Sequence, residues 1–194
     1  FILLIKPLIQ AGLLPTSTPL RCHAVSGYSG GGRQMIEKFR DFSPKQADTL
    51  GVQSYAHRQQ HKHLPEMLKY SGTAIQPIFT PSVANYYKGM LVEVPLFTSE
   101  LANSSPGQVH EVLSQRYINE PFINVASLGA EELLDCGFLN PTSCNDSNRI
   151  DLIIMGDARR VILCARYDNL GKGAAGAAIQ NLNIMLGIKE SSGL

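Results

Sequence analysis

RIDLIIMGDARRVILCARY, at residues 149–167, decides the fold class. Its two apolar runs, separated by Gly156 and Asp157, predict a β-hairpin that turns at those two residues. Outward from this hairpin, alternating polarity predicts further strands and apolar spacing of three and four residues predicts helices. The predicted strands are 20–26, 52–56, 74–79, 90–97 and 122–127, and the predicted helices are 1–12, 34–42, 65–70, 106–117 and 171–187. Because strands and helices do not alternate strictly, we expect an α+β fold with a mixed or mostly antiparallel sheet and helices on one face.

The composition is that of a globular domain. The 194 residues are 44% hydrophobic and 17% charged, which excludes a disordered chain. The net charge of +1 provides no field for a nucleic acid or a membrane surface, so neither is expected as a partner. Four cysteines, Cys22, Cys136, Cys144 and Cys164, form no CxxC pair, and we interpret them as reduced thiols of a cytosolic protein.

The first residues, FILLIKPLIQAGLLP, form an apolar helical pattern that no N-cap residue precedes. Lys6 and Pro7 interrupt the pattern, which is too short to span a membrane and lacks the basic start and cleavage site of a signal peptide. We therefore expect a helix that begins upstream of Phe1, is kinked or restarted at Pro7, and belongs to a longer protein.

Residues 26–33, SGYSGGGR, predict a glycine-rich loop between a strand and a helix. Successive glycines let backbone N–H groups approach a ligand, and the helix start beyond them favours an anion. The GK[ST] ending of a P-loop is missing. The pattern alone fits a ligand cradle and a plain tight turn equally well.

Three histidines, His57, His61 and His63, lie within seven residues. His61 and His63 would point to one side of an extended chain. A zinc site needs further ligands, and neither an HExxH motif nor a nearby cysteine supplies them. Acid–base or substrate-contacting histidines and solvated histidines before a helix both remain open on spacing alone.

A third candidate segment, DNLGKG at 168–173, precedes the last predicted helix. Two glycines and Lys172 at a helix start suit a phosphate or a carboxylate. The alternative is a strand-to-helix turn with Lys172 in solvent.

Four segments together resemble one known family: SGYSGGGR at 26–33, HKHLPEM at 61–67, GMLVEVPL at 89–96 and DNLGKGAAGAAIQNLNIMLG at 168–187. In this order and at these separations they are similar to N-acetyl-gamma-glutamyl-phosphate reductases of the shorter type. Aspartate-semialdehyde dehydrogenases are similar in the SG-x-G loop and in the asparagine before the last helix, but not in HKHLPEM.

The resemblance implies an enzyme that reduces N-acetyl-glutamyl phosphate to the semialdehyde with NADP, through a cysteine thioester, in cytoplasmic arginine biosynthesis. The nucleophilic cysteine belongs to a GCYxTG segment, which we expect a few residues before Phe1. None of the four cysteines in this chain is proposed in its place. We therefore expect the isolated chain to be inactive, because it holds neither this thiol nor a complete cofactor site.

Site residues are carried over by the same resemblance. His61 and His63 match the active-site histidines, and imidazole suits proton transfer at neutral pH. We assign the proton transfer to His63 and a substrate contact to His61. Ser29 and Gly30 match the loop at the nicotinamide end of NADP, and Asn169 matches the asparagine that contacts the cofactor. No metal is expected, and His57 has no counterpart.

The implied organisation has two parts. Residues 1–168 would form a glyceraldehyde-3-phosphate-dehydrogenase-like domain for substrate binding and homo-oligomer contacts, in a dimer or tetramer. Residues 169–194 would carry a helix that packs on an NADP-binding Rossmann domain outside this chain, since no GxGxxG follows a first strand. Several of the apolar side chains of 173–187 should then be far more exposed than Leu152, Val161 and Leu163. Rival interpretations are an aspartate-semialdehyde-dehydrogenase relative with another acyl phosphate and a non-catalytic oligomerisation domain.

Overall fold

One mixed β-sheet organises the fold. The computed structural model describes residues 1–49 and 51–194, and these residues form seven strands and six α-helices. In chain order the elements are α1 Ile2–Gln10, β1 Arg21–Gly27, α2 Gly32–Arg40, α3 Pro44–Thr49, β2 Val52–Ser54, α4 Leu64–Ser71, β3 Ile78–Ala84, β4 Met90–Phe97, α5 Pro106–Tyr117, β5 Ile123–Val125, β6 Ile150–Gly156, β7 Arg160–Tyr167 and α6 Gly176–Met185. A 3-10 turn at Tyr28–Gly31 leads into α2, and a π-helical turn at Gly171–Ala175 leads into α6.

The strand order is β2-β3-β1-β4-β7-β6-β5. β1 runs parallel to β3 and β5 runs parallel to β6, while the other neighbours are antiparallel. The hairpin predicted from 149–167 is formed by β6 and β7, and its last pair joins Gly156 to Val161. The predicted α+β class with a mixed, mostly antiparallel sheet is therefore confirmed.

One face of the sheet carries the main core. Alternate strand residues, such as Leu152, Val161 and Leu163 at 0% exposure, point to α1, α4 and α5, as the period of two requires. The helices contribute their own apolar stripes to the same cluster, namely Leu4, Ile5, Leu8, Leu64, Met67, Val109, Leu113 and Tyr117. Helices on one face were expected, and this arrangement is confirmed.

The opposite face is covered only in part. Residues 126–139 lie over a small cluster that includes Ile153 and Cys164. Beside it, Asp151 and Arg166 form an ion pair of 2.8 Å, and the two residues are 0% and 2% exposed. Arg166 also donates a hydrogen bond to the Asn140 carbonyl. A buried pair of this kind is costly to break from one side, because the other charge is left unpaired. It therefore fixes the irregular segment 129–149 to the sheet.

The rest of this face is open. Four apolar side chains stand on it, and we call them the open-face patch. Residues paired across neighbouring strands, such as Pro95 and Ile162, lie on the same face of the sheet, and the strand register places all four on this face. The patch consists of Ile78 (56% exposed), Pro95, Phe97 (57%) and Ile162 (38%).

Helix α1 passes through Pro7 as one helix and does not restart there. Proline has no N–H, so the carbonyl of Leu3, four residues earlier, lacks its helical donor. The hydroxyl of Tyr117 donates to that carbonyl at 2.8 Å. A residue of α5 thus completes the hydrogen bonding of α1 and ties the two helices together.

Other expectations differ from the structure in detail. The strand predicted at 74–79 was placed wrongly, because β3 spans Ile78–Ala84. Helix α3 was not predicted. The last helix is far more exposed than the strands, as expected: Leu182 is 52% exposed and Met185 84%. The tail returns along α6, where Asn183 donates to the carbonyls of Glu190 and Ser192.

Candidate active site

The glycine-rich loop is pressed against a neighbouring turn. β1 ends at Gly27, where a Cβ atom would lie 2.5 Å from the Tyr87 carbonyl oxygen, so only glycine permits this approach. The backbone N–H of Ser29 donates to the same carbonyl at 3.0 Å. Ser29 is 3% exposed, and the turn directs Gly30 and the first residues of α2 toward the inside of a cavity.

Asn169 links this loop to the β3–β4 turn. Its Oδ1 accepts from the Gly89 N–H at 2.8 Å, and its Nδ2 donates to the Ser29 hydroxyl at 3.1 Å. One Nδ2 proton remains for a ligand. A Cβ on Gly30 would lie 3.3 Å from Asn169 Nδ2, which keeps this amide close to the glycine backbone.

The neighbouring Asp168 holds the chain at this corner. It is 1% exposed, and its carboxylate accepts from the N–H groups of Asp146, Leu170 and Gly171. Burial alone would raise the pKa of Asp168, but these donors and the Lys88 ammonium outweigh burial and lower it. The charged carboxylate therefore fixes the start of the π-helical turn and the direction of Asn169.

The two active-site candidates His61 and His63 lie between β2 and α4, with His63 at the N-cap of α4. Their rings meet edge to face at 4.7 Å, and the His61 ring also meets Phe79 at 5.1 Å. The His63 backbone N–H donates to His61 Nδ1 at 3.2 Å. A ring nitrogen that accepts carries no proton, so neutral His61 presents Nε2–H as a donor.

Both imidazoles favour the neutral form. Burial lowers the pKa of His61, and the nearby His63 and Lys62 lower it further. Burial also lowers the pKa of His63; Glu66 opposes this effect and Lys62 adds to it. A neutral ring can accept a proton near neutral pH, and the imidazolium that forms can return it, which is what acid–base chemistry requires.

The five site residues expected from the sequence all line one cavity of about 590 Å³: Ser29, Gly30, His61, His63 and Asn169. Its wall also includes Ser26, Gly31, Gly32, Met35, Tyr55, Lys62, Phe79, Ser82, Met90, Tyr167, Leu170, Gly173 and Ala174. Within residues 1–49 and 51–194, Lys62 is the only formally charged side chain on this wall. An anion would therefore meet attraction and no carboxylate.

A smaller cavity of about 180 Å³ adjoins the first. The two share His63, Phe79, Met90 and Tyr167, and Phe1 lines the smaller one. His63 is thus reached from both sides.

Other candidates lie elsewhere. His57 contacts the Ser54 hydroxyl at 2.9 Å and is not on the cavity wall. Lys172 donates to Gln180, stands over the Phe122 ring at 5.4 Å and is not on the cavity wall. Lys62 belongs to the motif HKHLPEM, but its place on the cavity wall was not predicted from the sequence. Gln59, whose side chain bonds the backbone of Phe79, had no sequence signal.

No group of three or more His, Cys, Asp or Glu side chains in 1–49 and 51–194 is arranged to hold a metal ion. Likewise, none of the helices in this part of the chain has the length and apolar character needed to cross a membrane.

Comparison with known proteins defines the class. A family model described as semialdehyde dehydrogenase, dimerisation domain, matches residues 1–169, and the chain belongs to this family. Among solved structures, aspartate semialdehyde dehydrogenase II from Vibrio cholerae has a TM-score of 0.69 at 17% identity, over 95% of this chain and 58% of that one. The enzyme from Francisella tularensis has a TM-score of 0.66 at 14% identity, over 95% and 61%. These structures show a shared fold.

Curated sequences narrow the comparison to one kind of enzyme. N-acetyl-gamma-glutamyl-phosphate reductase 2 from Nostoc sp. is 42% identical to the chain over 203 residues, covering 100% of this chain and 62% of that protein. The reductase from Burkholderia orbicola is 37% identical over 192 residues, covering 97% and 60%. The chain thus matches about three fifths of the length of these relatives.

Proposed function

We propose that the protein containing this chain is an NADP-dependent reductase of N-acetyl-glutamyl phosphate in arginine biosynthesis, and that this chain provides its substrate-binding part. The observation that carries the proposal is the convergence of His61, His63, Ser29, Gly30 and Asn169 on one cavity. These residues come from three separate segments of the chain, each of which belongs to a motif of the resemblance. The relatives that bear this reductase name support the choice of substrate.

The histidines would divide the proton chemistry. His63 borders both cavities and has a lowered pKa, chiefly through burial, so it suits the transfer of a proton to or from the reacting oxygen. His61 already accepts at Nδ1 and presents Nε2–H, which suits a hydrogen bond to the substrate. The nucleophilic cysteine is proposed in the segment before Phe1. Phe1 itself lines the smaller cavity, as His63 does.

The cavity suits an anionic substrate. Lys62 lies between the two histidines, and its charge lowers the pKa of both, which places it close to the reacting region. We assign Lys62 to attraction of the phosphoryl or carboxylate group of the acyl phosphate. Hydroxyl groups of Ser26, Ser82 and Tyr55 are available for further hydrogen bonds.

The glycine corner fits one end of a nicotinamide cofactor. Gly30, Gly31 and Gly32 line the wall without side chains, and Asn169 retains one amide proton beside them. Apolar Leu170 and Ala174 provide a surface for a flat ring. NADPH, when bound, supplies hydride to the acyl carbon. Residues 169–194 are proposed to pack on the domain that binds the rest of the cofactor.

We further propose a homo-oligomer, a dimer or a tetramer, because the family model describes a dimerisation domain and the open-face patch leaves apolar side chains uncovered. The cytoplasm is the proposed compartment, since all four cysteines are free and reduced thiols persist there.

Three substrate assays test the function. The complete protein is mixed with NADPH and either N-acetyl-glutamyl phosphate, aspartyl phosphate or no acyl phosphate, and oxidation of NADPH is followed by absorbance. We expect turnover with the first substrate only. Turnover with aspartyl phosphate alone favours the semialdehyde-dehydrogenase alternative. No turnover with either, together with stable oligomers, favours a non-catalytic oligomerisation role. The isolated 194-residue chain is expected to give no turnover, and measurable turnover by it would contradict the proposed division between two domains.

A further inference from the structure

The side chain of Gln59 pairs with strand β3 in the manner of a backbone. Its Nε2 donates to the Phe79 carbonyl at 2.8 Å, and the Phe79 N–H donates to its Oε1 at 2.9 Å. β2 pairs with β3 only at Ser82–Ala84, and the Tyr55 N–H then donates to Pro81. Gln59 thus continues the hydrogen bonding of this edge after β2 has ended.

The backbone at this position is unusual for a glutamine. Gln59 has φ 54°, in the left-handed region, and its N–H donates to the Ala56 carbonyl, where φ is 55°. Glycine or asparagine adopts such a turn more readily. A glutamine here is explained by what its amide reaches, and not by the needs of the turn.

The Gln59 amide is bonded to Phe79, the residue whose ring contacts His61. The Phe79 ring meets His61 at 5.1 Å, and His61 meets His63 at 4.7 Å. His61 is only two residues beyond Gln59, so two connections join this loop to Phe79: the amide pair and the ring contact. A loop held at two points has little freedom to rotate.

We infer that Gln59 is a positioning residue that fixes the His61–His63 pair for the proton transfer, an inference that rests on the proposed function. Its amide sets the distance between the loop and β3, and the loop then aims both imidazoles into the cavity. Misplacement of a reacting group by about 1 Å costs on the order of 100-fold in rate.

The test uses Gln59→Ala and Gln59→Glu in the complete protein. Gln60→Ala is the matched control, since Gln60 is an exposed neighbour outside the cavity wall. We expect Gln59→Ala to lower kcat about 10- to 100-fold with little change in the KM for NADPH. Gln59→Glu, which keeps the acceptor for the Phe79 N–H, should restore part of kcat, and Gln60→Ala should match the wild type.

A double-mutant cycle separates positioning from general destabilisation. In a His63→Ala background, Gln59→Ala should lower kcat less than about twofold, because the proton-transferring member of the pair is gone. An equal loss in both backgrounds would overturn the inference. If His63→Ala itself leaves kcat unchanged, the proposed acid–base role fails instead.

NMR of the histidine rings tests the positioning without any enzymatic turnover. The ring Cε1–H signals of His61 and His63 should shift and broaden in Gln59→Ala and stay in place in Gln60→Ala. Unchanged ring signals in Gln59→Ala would contradict positioning whatever the protein catalyses.

Discussion

His61 and His63 differ in their hydrogen bonding and in the cavities that they line. His61 Nδ1 accepts from the backbone of His63, whereas His63 borders both cavities. In the complete protein we expect His63→Ala to lower kcat by about 10²–10⁴-fold, the usual value of acid–base help. His61→Ala should raise the KM for the acyl phosphate and lower kcat less. His57→Ala, which removes a contact to Ser54 outside the cavity, is the control. Equal, small effects on kcat and KM at all three positions would indicate that the three histidines are merely solvated side chains.

The pH dependence follows from the same burial. The ordinary imidazole pKa of 6.5 is lowered at both histidines, first of all by burial. A base must be neutral, and a lowered pKa keeps it neutral as the pH falls. The acid limb of kcat/KM, which reports groups of the free protein, should therefore have its midpoint below pH 6.5, and it should disappear from the residual activity of His63→Ala. A midpoint clearly above 6.5 would show that another group controls the limb.

Lys62 is expected to act on substrate binding and not on the chemical step. It supplies the only formal charge on the cavity wall within the described residues. An exposed charge contributes about 1 kcal/mol or less, so Lys62→Met should raise the KM for the acyl phosphate by up to about fivefold and leave kcat nearly unchanged. Lys62→Arg should preserve KM. Steady-state kinetics at low and high salt checks the assignment, because screening should raise the wild-type KM more than that of Lys62→Met.

The motifs of the family resemblance were enough to predict which side chains line one cavity, but not how they are held. Asn169 was expected to contact the cofactor, and the structure adds that it ties Gly89 to Ser29. Gln59 could not be found in advance, because its partner is a backbone that lies 20 residues away. Such contacts depend on the tertiary fold and leave no local pattern.

Among the elements, α1 and α5 share one hydrogen bond that the sequence of α1 makes necessary. Pro7 leaves the Leu3 carbonyl without a helical donor, and Tyr117 supplies one. Tyr117→Phe should lower the free energy of unfolding by about 1 kcal/mol, the typical net value of a hydrogen bond. In a Pro7→Ala background the new N–H can serve Leu3, so the same change should cost about half as much or less. Urea denaturation of the four proteins measures this difference, and identical costs in both backgrounds would contradict the explanation.

Strands with regular alternation of apolar and polar residues were predicted well, whereas the position of β3 was not. β4 is formed at Met90–Phe97 and α5 at Pro106–Tyr117, as expected. β3 contains Pro81, and a proline cannot donate to a ladder, so it normally ends a strand. The structure tolerates Pro81 because β2 pairs with β3 only from Ser82 onward. This exception depends on the neighbouring strand and not on β3 itself.

At the scale of the whole molecule, the open-face patch is the proposed contact between copies. Charged residues are depleted in the cores of such interfaces, so Ile162→Arg should shift the protein from dimer or tetramer toward monomer. Ile118→Arg is the control, because Ile118 is 79% exposed and directly follows α5, which packs on the other face. Light scattering after size exclusion gives the mass directly. A monomeric wild type, or an oligomer unaffected by Ile162→Arg, would exclude this face as the contact.

Helix α6 provides the test of the two-part organisation. Its side chains Leu182 and Met185 are 52% and 84% exposed, while strand residues such as Val161 are fully buried. In the 194-residue chain, Leu182→Glu and Met185→Glu should change the free energy of unfolding by less than about 0.5 kcal/mol and should reduce the binding of a hydrophobic dye. In the complete protein, where we propose that α6 packs on the NADP-binding domain, each change should cost about 1.5–3 kcal/mol of burial and weaken NADPH binding. Ile118→Glu, at an apolar residue that is 79% exposed outside α6, should be neutral in both proteins. If the α6 variants are neutral in the complete protein as well, the helix has no partner there, and the approach of Asn169 to the cofactor must be set by the contacts of the β7–α6 corner alone.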